Sequence, residues 1–497
     1  MNKQFIDFIK SNYSEVSGIP LGRPVYENEI NNDYEINIPL KTFTRHGLVA
    51  GSTGTGKSRA IQLMIEKLSD KKISVFLSDI KGDMSGFCTA GNTEKVLGRA
   101  QKMNYAFSSK KYPTNYWGSH EGLIKFKISL DDVDFIILAK LLELNPTQES
   151  HLGSIYKFAK DKKIKIQNLK DLSDIVSYLI KYPEKHIGSS KSSLSVIHRK
   201  IGNLEYNNFN SFFGLPSFEN NDFLSEKINI FWLQNYQKKK YNTGNLVSFF
   251  LYRLYSELPE IGDVTEPKLV VFIDEAHQIF NNANKNLVDL MVSILKQIRS
   301  KGVGIVFNTQ SAEDIPEKIL EQLGFKIQFA LRAFSQEELD DIKGAMNSFP
   351  ASELYDLKEE VKSLNNGTAF VSVLNESGSL LPPVKTMIYP PASLMDAPDI
   401  ETLKKSNSRD LLDKYNREIQ SEPLNLGSPL DNISVSRGGK WQINRYIERK
   451  EDQKVKRAVN KRNKTIKKFM YLLIAILGLS AFIFFLFLIY KILEKLS

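Results

Sequence analysis

Cysteine is nearly missing from this chain: among 497 residues there is one, Cys88, together with six scattered histidines. A lone cysteine excludes an internal disulfide framework, and no His or Cys pair stands at the spacing a zinc ligand set needs. The first residues, MNKQFIDFIKSNYSE, lack the apolar core of a signal peptide. Export of the main body is therefore not expected, and a reducing, cytoplasmic setting is. Disorder is excluded too, since 42% hydrophobic content against 25% charge can bury a large core.

Excess basic charge is lacking where it would signal nucleic acid. The formal net charge is +10, but residues 437–468 alone carry thirteen Lys/Arg against three acids, and 491–497 carry two lysines against one glutamate. Residues 1–436 are close to neutral, so their overall charge gives no sign of DNA binding. The basic stretch borders Phe469 to Tyr490, 22 residues without a charge. As a helix at ~1.5 Å per residue this run covers roughly 33 Å, the depth of a bilayer core. With the Lys/Arg cluster on its N-terminal side, it is expected to be a single transmembrane helix that keeps residues 1–468 in the cytoplasm.

Upstream of the anchor, 440–468 form a basic juxtamembrane segment and 396–439, with Pro398, Pro423 and Pro429 among Ser and Asn, read as a linker; 491–497 are a short tail. The body alternates apolar runs with helical patterns: HGLVAGS (46–52), ISVFLSDI (73–80), KINIFWL (227–233), KLVVFIDEA (268–276), VGIVFNTQ (303–310), KIQFALRA (326–333) and TAFVSVL (368–374). Near-continuous apolar strands separated by helices predict an α/β fold with a mainly parallel sheet covered on both faces. The expected divisions are an N-terminal segment (1–40) and a catalytic domain (41–395) with a helical insertion over about 134–213.

Residues 51–58 read GSTGTGKS, a complete match to the phosphate-binding loop G-x-x-x-x-G-K-[ST], preceded by an apolar strand and followed by a helical pattern. Gly51, Gly54 and Gly56, with Ser52, Thr53 and Thr55 between them, let backbone N–H groups face phosphate oxygens. Lys57 is expected at the β- and γ-phosphates and Ser58 at Mg²⁺. LVVFIDEAHQIF ends an apolar strand in Asp274, a second Mg²⁺ candidate, and Glu275, the candidate that orients or deprotonates water. Carboxylates often end strands as helix caps, so this pair gains its meaning from the loop. Gln310 ends GIVFNTQ where a γ-phosphate could be sensed, and Arg299 and Arg332 are candidates for an arginine supplied to a neighbouring subunit's nucleotide.

In order along about Ile19 to Pro391, the segments RHGLVAGSTGTGKS, FLSDIKGDMSGF, LLELNPTQES, PKLVVFIDEAH, IRSKGVGIVFNTQSAEDIPEKILEQLGFKIQFALRAF and TAFVSVLNESGSLLPPV resemble the bacterial branch of the HerA-like helicases, in the HerA/FtsK superfamily of P-loop ATPases. The resemblance implies a RecA-like motor, ATP with Mg²⁺, and a homo-hexameric ring that passes double-stranded DNA. It matches Arg299 to the family's trans-acting arginine, Gln310 to the strand-end glutamine, Asp79 and Asp83 to acidic positions after the second strand, and Arg45 to a basic position before the first. Two departures stand out: some 40 residues before the first strand leave no room for the N-terminal β-barrel of archaeal members, and a C-terminal anchor is not a feature of this branch.

Three function classes follow. One is a membrane-anchored DNA translocase or helicase-type ATPase, another a membrane-bound ATPase energising a secretion or other assembly without touching DNA. The third is a slow nucleotide switch, against which Glu275 argues.

Overall fold

The structure is a computed structural model that describes residues 3–424 apart from 14–15, 183–189, 208, 235–243, 282, 333–335, 376, 418 and 420–423. Its strands are β1 (Ile19–Tyr26), β2 (Glu29–Ile30), β3 (Ile36–Ile38), β4 (Gly47–Ala50), β5 (Ser74–Asp79), β6 (Thr114–Gly118), β7 (Ile124–Lys125), β8 (Ile228–Trp232), β9 (Leu269–Ile273), β10 (Val303–Thr309), β11 (Phe325–Phe329), β12 (Thr368–Val373) and β13 (Val384–Ile388). They form one sheet in the order β2-β1-β13-β12-β11-β4-β10-β9-β5-β8-β6-β7, with β3 on β1. Pairing is parallel from β11 through β7 and antiparallel from β12 through β2.

Every residue of β4, β5, β8, β9, β10, β11 and β12 is buried, which explains why these strands read as unbroken apolar runs. Each buried Val, Ile, Leu or Phe contributes roughly 1.5–3 kcal/mol of transfer free energy, so alternation with polar residues would sacrifice half that gain wherever both faces are covered. The helix Lys57–Asp70 packs on β1, β4 and β5, and Lys285–Ile298 packs on β10. Between β7 and β8 lie four longer helices, Phe135–Leu141, Pro146–Asp161, Leu169–Lys181 and Lys191–Tyr206, packed largely on one another.

Two divisions expected from sequence are corrected. Residues 1–40 are not a separate segment: β1 pairs with β13, and Tyr13 Oη donates to the Val371 and Pro382 carbonyls at 3.1 and 2.8 Å. HGLVA is thus the fourth strand; β1 was obscured by Pro20, Gly22 and Pro24, tolerated in antiparallel pairing near the sheet's end. The linker does not begin at 396 either, since Ile400–Lys405 and Arg409–Asn416 are helices with Leu403 and Tyr415 buried. Asn407 Oδ1 accepts from Tyr116 N at 2.6 Å, and Asn416 Oδ1 from Lys125 N at 2.9 Å. Two asparagine side chains therefore satisfy backbone donors of β6 and β7 and blunt that edge. Among the described residues no helix is long and apolar enough to cross a membrane; the expected anchor at 469–490, with its basic flank, lies outside them.

His46, at the entry to β4, is locked neutral. Its Nε2 is 2.9 Å from the Leu295 carbonyl while Ile305 N donates to Nδ1 at 3.1 Å, so the imidazole must accept on one side and donate on the other. Burial lowers its pKa to about 4. The unfolded chain takes up this proton near 6.5 and the folded chain does not, so this contribution to stability is full above pH 6.5 and is lost as pH falls to 4. The expected loss is about 3 kcal/mol. Chemical denaturation of wild type and His46→Gln from pH 7.5 to 4.5 checks this: equal pH slopes would contradict it.

Candidate functional site

The turn leaving β4 is built to expose backbone. Gly51 has φ +146°, and a Cβ there would lie 2.6 Å from Phe329 Cβ, so neither conformation nor space admits a side chain. Gly54 (φ +78°) faces open space, as a surface receiving an anion should. The loop is fastened from behind: Gly51 N donates to the Gln310 carbonyl (3.2 Å), Ser52 N to Ala330 (2.8 Å), and Gly367 N to Thr55 (2.7 Å). Thr55 Oγ1 closes the turn onto the Ser52 carbonyl at 2.7 Å, and Thr53 is exposed at the rim. The helix Lys57–Asp70 begins behind Gly56 with no side-chain cap, leaving its first N–H groups free of such a partner. Lys57 Nζ donates to the Gly51 and Ser52 carbonyls at 2.6 and 3.1 Å, inside the cradle. Burial, then repulsion from Lys81, lowers its pKa to about 8.

Facing this cradle, the C-terminal ends of β5 and β9 bring acids together. One carboxylate oxygen from each of Asp79, Asp83 and Asp274 lies within 4.8 Å of the others. Ser58 Oγ donates to Asp83 Oδ2 at 3.4 Å. Asp274 Oδ1 accepts from Asn308 Nδ2 at 2.7 Å, but Asp274 Oδ2 and Asn308 Oδ1 are buried without a hydrogen-bond partner. Burial, with Asp79 beside it, raises Asp274 to about 7. Asp79 is itself raised by burial to about 6, though Gly82 N, Met84 N and Ser85 Oγ donate to it. Orphaned buried oxygen and crowded carboxylates are what a divalent cation would satisfy, so Ser58, Asp83 and Asp274 fit Mg²⁺. Asp79, spent on its own turn, positions that turn.

Glu275 adopts φ +48°, a left-handed conformation costing roughly 1 kcal/mol or more for a residue with a Cβ. The turn persists because Ala276 N donates to the Asn308 carbonyl at 2.8 Å. The two carboxylate oxygens differ: Oε1 forms an ion pair with Lys81 Nζ, while Oε2 is buried without a hydrogen-bond partner, 3.2 Å from His277 Nδ1. Burial works against ionisation here, but the contacts from His277 and Lys81 outweigh it and hold the pKa near 2. In return Glu275 raises the pKa of His277. Glu275 is therefore an ionised carboxylate held at the cradle's edge.

Gln310, exposed, follows β10 beside the loop. The arginines separate. Arg332 is on the loop's own edge, its backbone N donating to Ser52 Oγ at 3.1 Å and its side chain exposed. Arg299 precedes β10, at the opposite edge of the sheet, where its guanidinium pairs with Asp263 at 3.2 Å. The seven residues of β10 span roughly 20 Å, so Arg299 does not reach its own loop. Arg45 sits on that same far edge. Lys81, His277 and Asn308's bond to Asp274 were not assigned from sequence; the one signal was polar residues at or just past the C-terminal end of each apolar strand.

A family model described as "Helicase HerA-like C-terminal" matches residues 26–424. No curated protein is matched. Among solved structures, the chain is similar to VirB4 of Thermoanaerobacter pseudethanolicus, with 14% identity over 76% of this chain and 98% of that one and a TM-score of 0.50. It is also similar to the bacterial conjugative coupling protein TrwB, with 13% identity over 79% and 94% and a TM-score of 0.53. TrwB bound to ADP and Mg²⁺ gives 14% identity over 78% and 91%, with a TM-score of 0.52.

Proposed function

Because the chain belongs to the family of HerA-like helicase C-terminal domains and is a P-loop ATPase, we propose that it is a membrane-anchored motor, assembled as a homo-hexameric ring that acts on double-stranded DNA. The observation that carries the reading is the acid cluster facing the phosphate loop across one edge of the parallel sheet, with Arg299 on the other edge. Mg²⁺, when bound, neutralises charge on the β- and γ-phosphates. Lys57 and the backbone N–H groups of residues 53–58 bind the phosphates, and Ser58, Asp83 and Asp274 would hold the ion. Glu275 takes the proton of the attacking water while Gln310 orients it. Arg299 is presented to the next subunit's nucleotide, which makes a head-to-tail ring the natural assembly.

The DNA reading is supported by the family, whose described members are helicases, and by the likeness in fold to a conjugative coupling protein. The membrane reading is supported by the 22 uncharged residues after the basic stretch. A membrane-bound ATPase energising a secretion or other assembly is the second reading, favoured by the near-neutral body. One experiment tests both parts. Membranes from cells expressing the full chain, washed in high salt, are expected to hold the ATPase and to hydrolyse ATP faster when linear double-stranded DNA is added. Activity in the soluble fraction would remove the anchor; membrane activity indifferent to DNA would leave the second reading.

A further inference from the structure

Lys81 stands in the turn after β5, its side chain 40% exposed, while the Glu275 carboxylate it holds is 8% exposed. It therefore reaches a buried acid from the open side of the cradle. Lys57 repels it, and Asp274 and Asp83 attract it, so its ammonium lies among the groups that surround the phosphates. A flexible four-carbon stem allows the ammonium to change partner without moving the backbone. The stronger anion within reach then decides where it rests, and a terminal phosphate competes well with one carboxylate.

His277, by contrast, approaches Glu275 Oε2 from the helix His277–Phe280, which follows the same turn. It can stay beside that oxygen, at 3.2 Å, while Oε1 changes partner. As long as Lys81 occupies Oε1, that oxygen is not free to take a proton from water.

We propose that Lys81 is a positioning residue that exchanges partners: it holds Glu275 Oε1 when no γ-phosphate is present and moves to that phosphate when a nucleoside triphosphate binds, freeing Glu275. The inference rests on Glu275 being the water-activating group. It makes Lys81 the side chain that distinguishes a triphosphate from a diphosphate, because only the former offers the second partner.

The test is a double-mutant cycle on nucleotide affinity, using the full chain with Mg²⁺, a non-hydrolysable ATP analogue and ADP. Lys81→Met is expected to weaken the analogue about tenfold relative to ADP, the scale of one charge-assisted contact. Glu275→Gln, by removing the competitor for the ammonium, tightens the analogue several-fold, and this gain disappears in the double variant. Lys81→Arg, which keeps the charge, retains the preference for the triphosphate. Equal weakening of both nucleotides by Lys81→Met, or a Glu275→Gln gain that survives without Lys81, would overturn the exchange. Wild-type turnover by Glu275→Gln would instead overturn the water-activating role, a readout separate from the binding cycle.

Discussion

Replacing Glu275 by glutamine is expected to leave ATP bound and to slow its hydrolysis by roughly a hundred- to a thousandfold, the contribution of a well-placed general base. The substitution removes a charge and a proton acceptor and keeps the shape, so Lys57, Ser58 and the backbone cradle stay intact. The carboxylate is also prepared for this role at some cost: its left-handed backbone is strained, and it stays ionised although it is buried. A residue serving only to cap a strand end would need neither. Lys57→Ala is the contrasting variant, expected to lose affinity because no other ammonium contacts the Gly51 and Ser52 carbonyls among the described residues. Single-turnover hydrolysis alongside equilibrium nucleotide binding separates the two effects. Normal turnover in Glu275→Gln would refute the assignment.

What was legible in the sequence follows from what burial demands. β4, β5, β9, β10 and β11 are covered on both faces, so their sequences could contain little but apolar residues, and the polar groups following them necessarily marked the ligand edge. The phosphate loop was legible because its glycines are fixed by φ angles no other residue adopts easily. The N-terminal strand β1 was hidden by its two prolines, and the helices of 400–416 by their shortness, six and eight residues, too few for a periodic apolar pattern to stand out. The clamp on Glu275 was out of reach for a different reason. Lys81 and Glu275 are far apart in the chain, and they meet because β5 and β9 are neighbours in parallel register, with Ser78 opposite Ile273. Both strands are legible as apolar runs, but nothing in a linear sequence fixes that they are adjacent. The separation of Arg299 from Arg332 likewise depended on strand direction: each borders an apolar strand, but one precedes β10 and the other follows β11.

That separation leads to the account's central claim, that the hydrolytic site is completed by a second copy of this chain. Arg299→Ala is expected to lower ATPase activity on the order of a thousandfold, the usual worth of an arginine supplied to a transferring phosphoryl group. Its ion pair with Asp263 is solvent-exposed and contributes little to stability, so the variant should remain folded. Alone, Arg299→Ala and Glu275→Gln should both be nearly inactive. Mixed in equal amounts and allowed to exchange subunits, they should regain activity, because about a quarter of head-to-tail boundaries then join an intact Glu275 to an intact Arg299. The decisive measurement is the ATPase rate of that mixture against the two variants alone: recovery toward a quarter of the wild-type rate is the predicted result, and a mixture no more active than its components, or full activity from a strictly monomeric wild type, would contradict it.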